Sequence, residues 1–366
     1  MLMLLIVLHS AVAYMVTPLG DVWPFKDHST HIAFDIVVVL IHTFRLPLLF
    51  AMTGFFGAKL YCERGAREFL RNRTQRIAIP LITFWVLLTP FILAPFALIQ
   101  LEPGSRTPLG LISWLMSQNG LSNLQLFHLW FLFDLLLYYG AMLLMVQLPQ
   151  PTLIPWVDSS WRRFDQLLQS SWGFLVLVAV TTLSLLPTKL GMLETPATFA
   201  RPPSTLLADF VFFLFGWWLY HRRHYLWSFA SGAWTRVVLG VTFLAIHLAC
   251  VAWLIKGNSE CHVLSAVFAS LSTWFFVYGI MGLFVRYGNR PSRFWRYIAD
   301  SSYWCYLVHL PSVVWLQILL VNWRVPAALK FATVLIATLS VCLLTYERFV
   351  RATPIGALIN GRRRPR

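Results

Sequence analysis

Residues 77–100 read IAIPLITFWVLLTPFILAPFALIQ and contain no charged side chain. A helix needs about 20 predominantly apolar residues to cross a bilayer, and this run is long enough. Similar runs recur along the 366-residue chain, which is 58% hydrophobic and 12% charged, with a mean hydropathy of +0.68. Soluble domains carry about 25% charged residues. The sequence therefore predicts an all-α fold, a polytopic transmembrane helix bundle.

Hydropathy predicts about ten membrane-spanning helices. The apolar runs are continuous, whereas the strands of a membrane β-barrel alternate apolar and polar residues. Because the loops between the runs are short, we expect one integral-membrane domain over residues 1–366. The predicted spans are 1–17, 33–58, 77–100, 124–147, 171–187, 206–221, 237–255, 262–285, 302–321 and 326–347.

The formal net charge of +15 fits either a nucleic-acid partner or a membrane protein with basic cytoplasmic loops. Basic residues crowd the segments that follow even-numbered spans, near 59–76, 222–236, 286–296 and 348–366. This distribution favours the membrane protein, so we predict cytoplasmic N and C termini and no nucleic-acid partner. The opposite loops hold Lys26, Arg106, Lys189, Arg201, Lys256 and Arg324.

The sequence lacks the patterns that are typical of several classes of functional site. The five cysteines are scattered without a CxxC pair, which argues against a zinc site and against a disulfide framework. The sequence contains no GxGxxG, Walker, GxSxG or HExxH pattern. We therefore expect no metal site, and neither nucleotide-hydrolysing transport nor serine-hydrolase chemistry.

The first predicted span carries an ionisable ring in an apolar run, MLMLLIVLHS at residues 1–10. Ionisable residues inside a membrane mark functional sites, because burying them is costly. The imidazole of His9 titrates near neutral pH and could take a proton from a hydroxyl as a general base. The alternative is a structural hydrogen bond from His9 to a neighbouring helix.

Arginines occupy two informative positions. Arg45 lies in the apolar stretch FRLPLLFAMTGFF at residues 44–56, where it needs a partner, a water-filled cavity or a route to the membrane interface. Its guanidinium could hold a carboxylate or a phosphate. Arg73 and Arg76 share a helix face before the third span, which suits the phosphates of a soluble donor. Plain positive-inside anchoring is the alternative for this pair.

Two histidines lie in later spans. His128 and Trp130 belong to LFHLWFL at residues 126–132, near the predicted outer end of the fourth span. His309 lies inside the ninth span, where a hydrogen bond in the core explains it as well as chemistry does.

Several of these stretches, taken in order, resemble the membrane-bound acyltransferase 3 family. They are VLHS (7–10), FRLPLLFAMTGFF (44–56), RNRTQRIAIPL (71–81) and LFHLWFL (126–132). The later stretches ADSSYWCYLVHLPSVVW (299–315) and YERFVRATPIGALINGRR (346–363) narrow the resemblance. They resemble a branch whose members are implied to attach succinyl groups to osmoregulated periplasmic glucans.

The resemblance implies an O-acyltransferase of the bacterial inner membrane. Its donor would be a cytoplasmic acyl-CoA such as succinyl-CoA, with no permanently bound cofactor, and its acceptor a periplasmic glucan. The implied surroundings are the lipid bilayer and other membrane proteins of glucan synthesis. The implied catalytic residues are His9, Arg45 and His128, and the candidates for donor or substrate binding are Arg73, Arg76, Trp130 and His309.

One feature of the family pattern is missing from the chain. The resemblance implies an arginine about ten residues before the first-span histidine, but Met1 lies only eight residues before His9. Either that arginine lies upstream of Met1 or the protein lacks it, and we expect the first span to begin upstream. Two other functions stay open on the sequence: a transporter or flippase of glycan or lipid, and an inactive scaffold in glucan assembly.

Overall fold

Helices form the whole regular structure of the described residues, apart from one isolated β-bridge between Gln125 and Thr198. This confirms the predicted all-α class. Residues 361–366, which include four arginines, and most of the segments 102–124 and 148–171 lie outside the described part of the chain. The computed structural model describes residues 1–18, 20, 23, 25–101, 105, 107, 109–110, 113, 125–147, 163, 165–166, 168, 170, 172–195, 198–288, 290 and 292–360.

The α-helices are numbered in chain order. They are α1 Leu4–Val12, α2 Ile32–Arg73, α3 Ile79–Gln100, α4 Trp130–Gln147, α5 Gly173–Leu185, α6 Pro203–His221, α7 Leu226–Ala230, α8 Ala233–Ile255, α9 His262–Tyr287, α10 Arg293–Leu320, α11 Ala327–Thr345 and α12 Pro354–Asn360. Short 3-10 turns at Phe127–Leu129, Arg223–Tyr225 and Ser259–Cys261 lead into α4, α7 and α9. π-Helical turns at Thr74–Ala78 and Tyr346–Val350 follow α2 and α11.

Seven helical stretches of the described chain are long and apolar enough to cross a membrane. They fit a multi-pass membrane protein, while the count of ten spans and the cytoplasmic termini remain predictions. The seven are Ile32–Leu98, Phe127–Val146, Pro203–His221, Ala233–Ile255, Ser259–Tyr287, Arg293–Leu320 and Ala327–Val350.

The observed helices differ from the predicted spans in two ways. The stretch Ile32–Leu98 has 67 residues and would measure about 100 Å if straight, whereas the hydrocarbon core is about 30 Å thick. Gly65 interrupts it with a φ of 75°, and its two parts overlap the second and third predicted spans. The first and fifth predicted spans contain only the short helices α1 and α5, of nine and 13 residues.

Helices α2 and α6 touch backbone to backbone through two glycines. A Cβ on Gly54 would lie 2.0 Å from the carbonyl oxygen of Phe213, and one on Gly216 would lie 1.8 Å from that of Ala51. Small residues at a helix interface permit this close approach in membranes. The contact therefore fixes α2, the helix that carries Arg45, against α6.

Prolines inside the helices leave carbonyls without their usual donor, and side chains from other helices supply it. Pro47 cannot bond to the carbonyl of Thr43, which accepts a hydrogen bond of 3.4 Å from the Thr273 hydroxyl. Pro95 likewise leaves the carbonyl of Phe91, to which the Trp315 indole donates at 3.0 Å. Satisfying such carbonyls internally is what makes prolines tolerable in membrane helices.

Charged side chains fix the segment that joins α1 to α2. The carboxylate of Asp35 accepts hydrogen bonds from the backbone N–H groups of Val16 and Thr17, at 2.8 and 2.9 Å. The Lys330 ammonium in α11 donates to both carboxylate oxygens of Asp27, at 2.9 and 2.8 Å, and both side chains are almost completely buried. The segment is therefore tied to both α2 and α11.

The glycine contact between α2 and α6 predicts unequal effects of two alanine substitutions. Gly216→Ala should lower the melting midpoint of the detergent-solubilised protein, because the new methyl overlaps a carbonyl and overpacking costs about 1–3 kcal/mol. Gly140→Ala in α4 is the matched control, since a Cβ there meets no atom within 4 Å. Equal midpoints for the two variants would show that α2 and α6 are not in close contact.

Candidate active site

Four of the residues singled out from the sequence line one cavity of about 70 Å³. His9 comes from α1 and Arg45 from α2, while His128 lies in the turn before α4 and Trp130 begins α4. His42, one helical turn before Arg45, lines the same cavity. The fold therefore joins groups separated by more than 100 residues in the sequence.

A second histidine, His309, lies against His9. Nδ1 of His9 is 3.0 Å from Nε2 of His309, and the two rings stack with their centroids 5.2 Å apart. Nδ1 of His309 lies 2.8 Å from the carbonyl oxygen of Tyr306 and 3.2 Å from that of Cys305. His309 is fully buried behind His9 and, among the described residues, is not part of the cavity wall.

These contacts determine which nitrogens carry protons when both imidazoles are neutral. Carbonyl oxygens only accept, so Nδ1 of His309 carries the hydrogen and its Nε2 holds a lone pair. Nδ1–H of His9 then donates to His309, which leaves the lone pair of His9 on Nε2. The Gln317 side chain also donates to the backbone carbonyl of His9 at 2.9 Å. His9 therefore has the tautomer of a general base, in a fixed orientation.

His128 bonds to a backbone carbonyl of α10 that lacks its usual helical N–H donor, because a proline occupies the position four residues later. Pro311 lies inside α10 and has no N–H to donate to the carbonyl of Leu307, and Nε2 of His128 lies 3.0 Å from that oxygen. The Tyr306 hydroxyl donates in turn to the backbone carbonyl of His128 at 2.8 Å. Helix α10 thus positions both His128 and His309, whose ring centroids are 4.9 Å apart.

Arg45 is the cation of the cavity. It is 4% exposed, and its Nε and Nη1 have no hydrogen-bond partner among the described residues. It takes part in no ion pair with a carboxylate of the described chain. A buried guanidinium is costly unless an anion or hydrogen bonds compensate it. This part of the cavity is therefore suited to an anionic group.

Trp130 is supported by a buried ionic cluster. The guanidinium of Arg201 lies 4.5 Å from the Trp130 ring centroid and donates to Asp134 at 2.7 Å. Asp209 in α6 is 3.9 Å from the same guanidinium, and the three charged side chains are at most 2% exposed. Asp134 and Asp209 lie in apolar stretches of the sequence, where a carboxylate needs a partner, but no spacing in the sequence pairs either of them with Arg201.

The structure places Arg73 and Arg76 away from this cavity. The Arg73 guanidinium lies 4.6 Å from the ring centroid of Tyr139, which is about 14 Å along α4 from Trp130. The backbone carbonyl of Arg76 accepts a hydrogen bond of 2.6 Å from the Tyr303 hydroxyl in α10. Both arginines are half-buried. The candidate site residues therefore lie at two levels along the axis of the bundle, and Arg73 and Arg76 lie at the level nearer the predicted cytoplasmic side.

Comparison with known proteins assigns the class. The family model for the acyltransferase 3 domain matches residues 1–347. The chain belongs to the acyltransferase 3 family, a class of membrane acyltransferases.

Particular relatives agree with the narrower resemblance seen in the sequence. The chain is similar to proteins named Glucans biosynthesis protein C from Escherichia coli O1:K1 / APEC, from Escherichia coli O157:H7 and from Escherichia coli O9:H4 (strain HS). Each is 23% identical over 337 residues, which cover 88% of this chain and 83% of the relative. No solved structure matches the chain.

The bond between His128 and Leu307 can be tested with a pair of substitutions. His128→Leu should lower the melting midpoint, because a buried carbonyl left unsatisfied costs about 1–3 kcal/mol. Adding Pro311→Ala should restore much of the midpoint, since the new backbone N–H at position 311 can donate to Leu307. If His128→Leu costs the same with and without Pro311→Ala, the two positions do not share this carbonyl.

Proposed function

We propose that this membrane protein is an O-acyltransferase that transfers succinyl groups from succinyl-CoA to hydroxyls of a periplasmic glucan in the bacterial inner membrane. The family membership supports acyl transfer, and the names of the similar proteins support glucan synthesis. The single observation that carries the proposal is that one cavity contains both an oriented imidazole, His9, and the cation Arg45, which has no carboxylate partner among the described residues.

His9 is the general base of the proposed reaction. Its Nε2 takes the proton of the acceptor hydroxyl while the hydroxyl oxygen attacks the thioester carbonyl carbon. A carbon–oxygen bond forms, the carbon–sulfur bond breaks, and the electron pair leaves on the sulfur. The imidazolium then returns its proton to this thiolate, so His9 ends the reaction neutral. His309 is a positioning residue, because it acts on the substrate only through His9.

Arg45 makes the site specific for a dicarboxylic acyl group. A succinyl thioester carries a free carboxylate, and a guanidinium binds a carboxylate through charge-assisted hydrogen bonds. The almost complete burial of Arg45 strengthens this attraction, since the local dielectric is low. His128 and Trp130 form the remaining polar and aromatic wall around the reacting group.

Arg73 and Arg76 bind the phosphates of the donor in this proposal. Their position supports the assignment, because Arg73 lies against Tyr139, about 14 Å along α4 from Trp130, and Arg76 follows three residues later. A coenzyme A whose phosphates lie there extends its thioester arm toward the cavity. The acyl group therefore enters from the arginine level, while the acceptor approaches from the opposite, predicted outer side.

Substitution of His9 tests the general base. His9→Ala should lower succinylation of periplasmic glucans by about 10²–10⁴-fold at normal expression, as expected for loss of a general base. Mass spectrometry of the glucans measures the succinyl increment. Ser10→Ala is the matched control, because the buried Ser10 hydroxyl has no hydrogen-bond partner among the described residues.

The same experiment separates the alternative functions. Unchanged succinylation in His9→Ala would exclude His9 as the base. Loss of glucan from the periplasm, with the remaining glucan still succinylated, would favour a transporter. Absence of succinylation from cells with the unaltered protein would favour a scaffold.

Substitution of Arg45 tests the recognition of the acyl group. Arg45→Met should reduce transfer from succinyl-CoA at least about tenfold more than transfer from acetyl-CoA. Only the succinyl group has a free carboxylate, and the substitution removes the cation proposed to bind it. Assays in membranes with isotopically labelled donors measure both rates. Arg73→Met is the control and should reduce the two rates equally, since both donors carry the same coenzyme phosphates. Equal losses in Arg45→Met would contradict the assignment.

A further inference from the structure

A second cavity, of about 150 Å³, lies in the segment that joins α1 to α2. Its wall is aromatic and aliphatic, with a hydroxyl and an ammonium group among the lining residues. The described lining residues are Val12, Met15, Thr17, Pro18, Gly20, Trp23, Phe25 and Lys26. On the predicted topology this segment lies on the outer side of the membrane, the side of the proposed acceptor.

Trp23 separates this cavity from the catalytic imidazole. Its ring centroid is 5.5 Å from that of His9, and the two planes are tilted by 32°. Among the described residues, Trp23 lines only the second cavity and His9 only the first. A ligand that packs on Trp23 is therefore next to the reaction centre but one aromatic ring away from Nε2 of His9. It cannot carry the reacting hydroxyl, although a neighbouring unit of the same molecule can.

The chemistry of the wall fits a sugar. Trp23 and Phe25 contribute aromatic rings to the wall, while Thr17 contributes a hydroxyl and Lys26 an ammonium group that can donate hydrogen bonds. Sugars combine apolar C–H faces, which pack on aromatic rings, with hydroxyl oxygens that accept such hydrogen bonds. A lipid tail offers no acceptor to either donor.

The size of the cavity supports the same ligand. An engineered apolar cavity of about 150 Å³ holds one benzene ring, so this volume suits a six-membered ring. The segment is anchored on both sides of the cavity, at Val16 and Thr17 by the carboxylate of Asp35 and at Asp27 by Lys330.

We propose that this cavity is an acceptor subsite that holds one sugar unit of the glucan while a nearby unit of the same chain is acylated at His9. The inference rests on the proposed function. It makes the protein selective for a polymer over a single sugar, because only a polymer can occupy both positions at once.

The test fills the cavity from its exposed rim. Thr17→Trp places a large side chain in the cavity, and Val16→Trp is the matched control, since Val16 is the adjacent exposed residue and is not among the described lining residues. Succinyl transfer is measured with purified glucan and with methyl glucoside as acceptors. Thr17→Trp should raise the KM for glucan about tenfold, as expected for the loss of one sugar contact. The kcat, the transfer to methyl glucoside and the Val16→Trp enzyme should remain unchanged.

A second variant guards against disruption of the segment by the bulky side chain. Trp23→Phe keeps an aromatic ring at this position, while it shortens the stacking surface and removes the indole N–H. It should also raise the KM for glucan, by a larger factor than it changes transfer to methyl glucoside.

Three results would overturn the subsite. They are an unchanged KM for glucan in both variants, equal losses with both acceptors in both variants, and a wild-type enzyme with equal KM values per sugar unit for the two acceptors. If added phospholipid stabilises the wild type but not Thr17→Trp, with the KM unchanged, the cavity holds a lipid tail instead. Failure of the wild type to transfer succinyl to either acceptor would reject the proposed function itself, which is a separate outcome.

Discussion

The hydrogen bond from His128 to the carbonyl of Leu307 determines the arrangement of the rest of the site. In a membrane a carbonyl without a donor is costly, and Pro311 removes the donor that Leu307 would normally have. The imidazole of His128 supplies it, which ties the turn before α4 to the middle of α10. The same part of α10 carries His309, the partner of His9, so one segment of α10 contacts two histidines that line the cavity.

Three cations of the described chain are almost completely buried, and the protein treats them differently. Lys330 is paired with Asp27, and Arg201 lies between Asp134 and Asp209. Arg45 lies at a comparable burial without a carboxylate from the described residues. The charges of the first two cations are compensated within the fold. The charge of Arg45 has no such compensation among the described residues, and this contrast is what favours an anionic ligand on that side of the cavity.

The sequence predicted the class of fold and singled out four of the residues that line the candidate cavity, for identifiable reasons. Membrane helices are long apolar runs, and ionisable residues inside them are conspicuous, so His9, Arg45 and His128 could be singled out before their positions were known. The role of His309 could not be predicted, since it depends on a contact across 300 residues. Trp23 was missed because a tryptophan near a membrane interface is ordinary. Hydropathy also does not reveal that α1 ends after nine residues.

The glycine contact between α2 and α6 supports the helix that carries Arg45, one of the residues that line the cavity. Arg45 belongs to α2, whose backbone contacts the backbone of α6 directly at Gly54 and Gly216. His9 belongs to a helix of nine residues, held by single hydrogen bonds to His309 and Gln317. Helix α1 is in addition buried by side-chain packing against α2, α10 and α11. The guanidinium and the imidazole that line the same cavity therefore depend on different parts of the core, so a substitution that loosens the support of one leaves the support of the other in place.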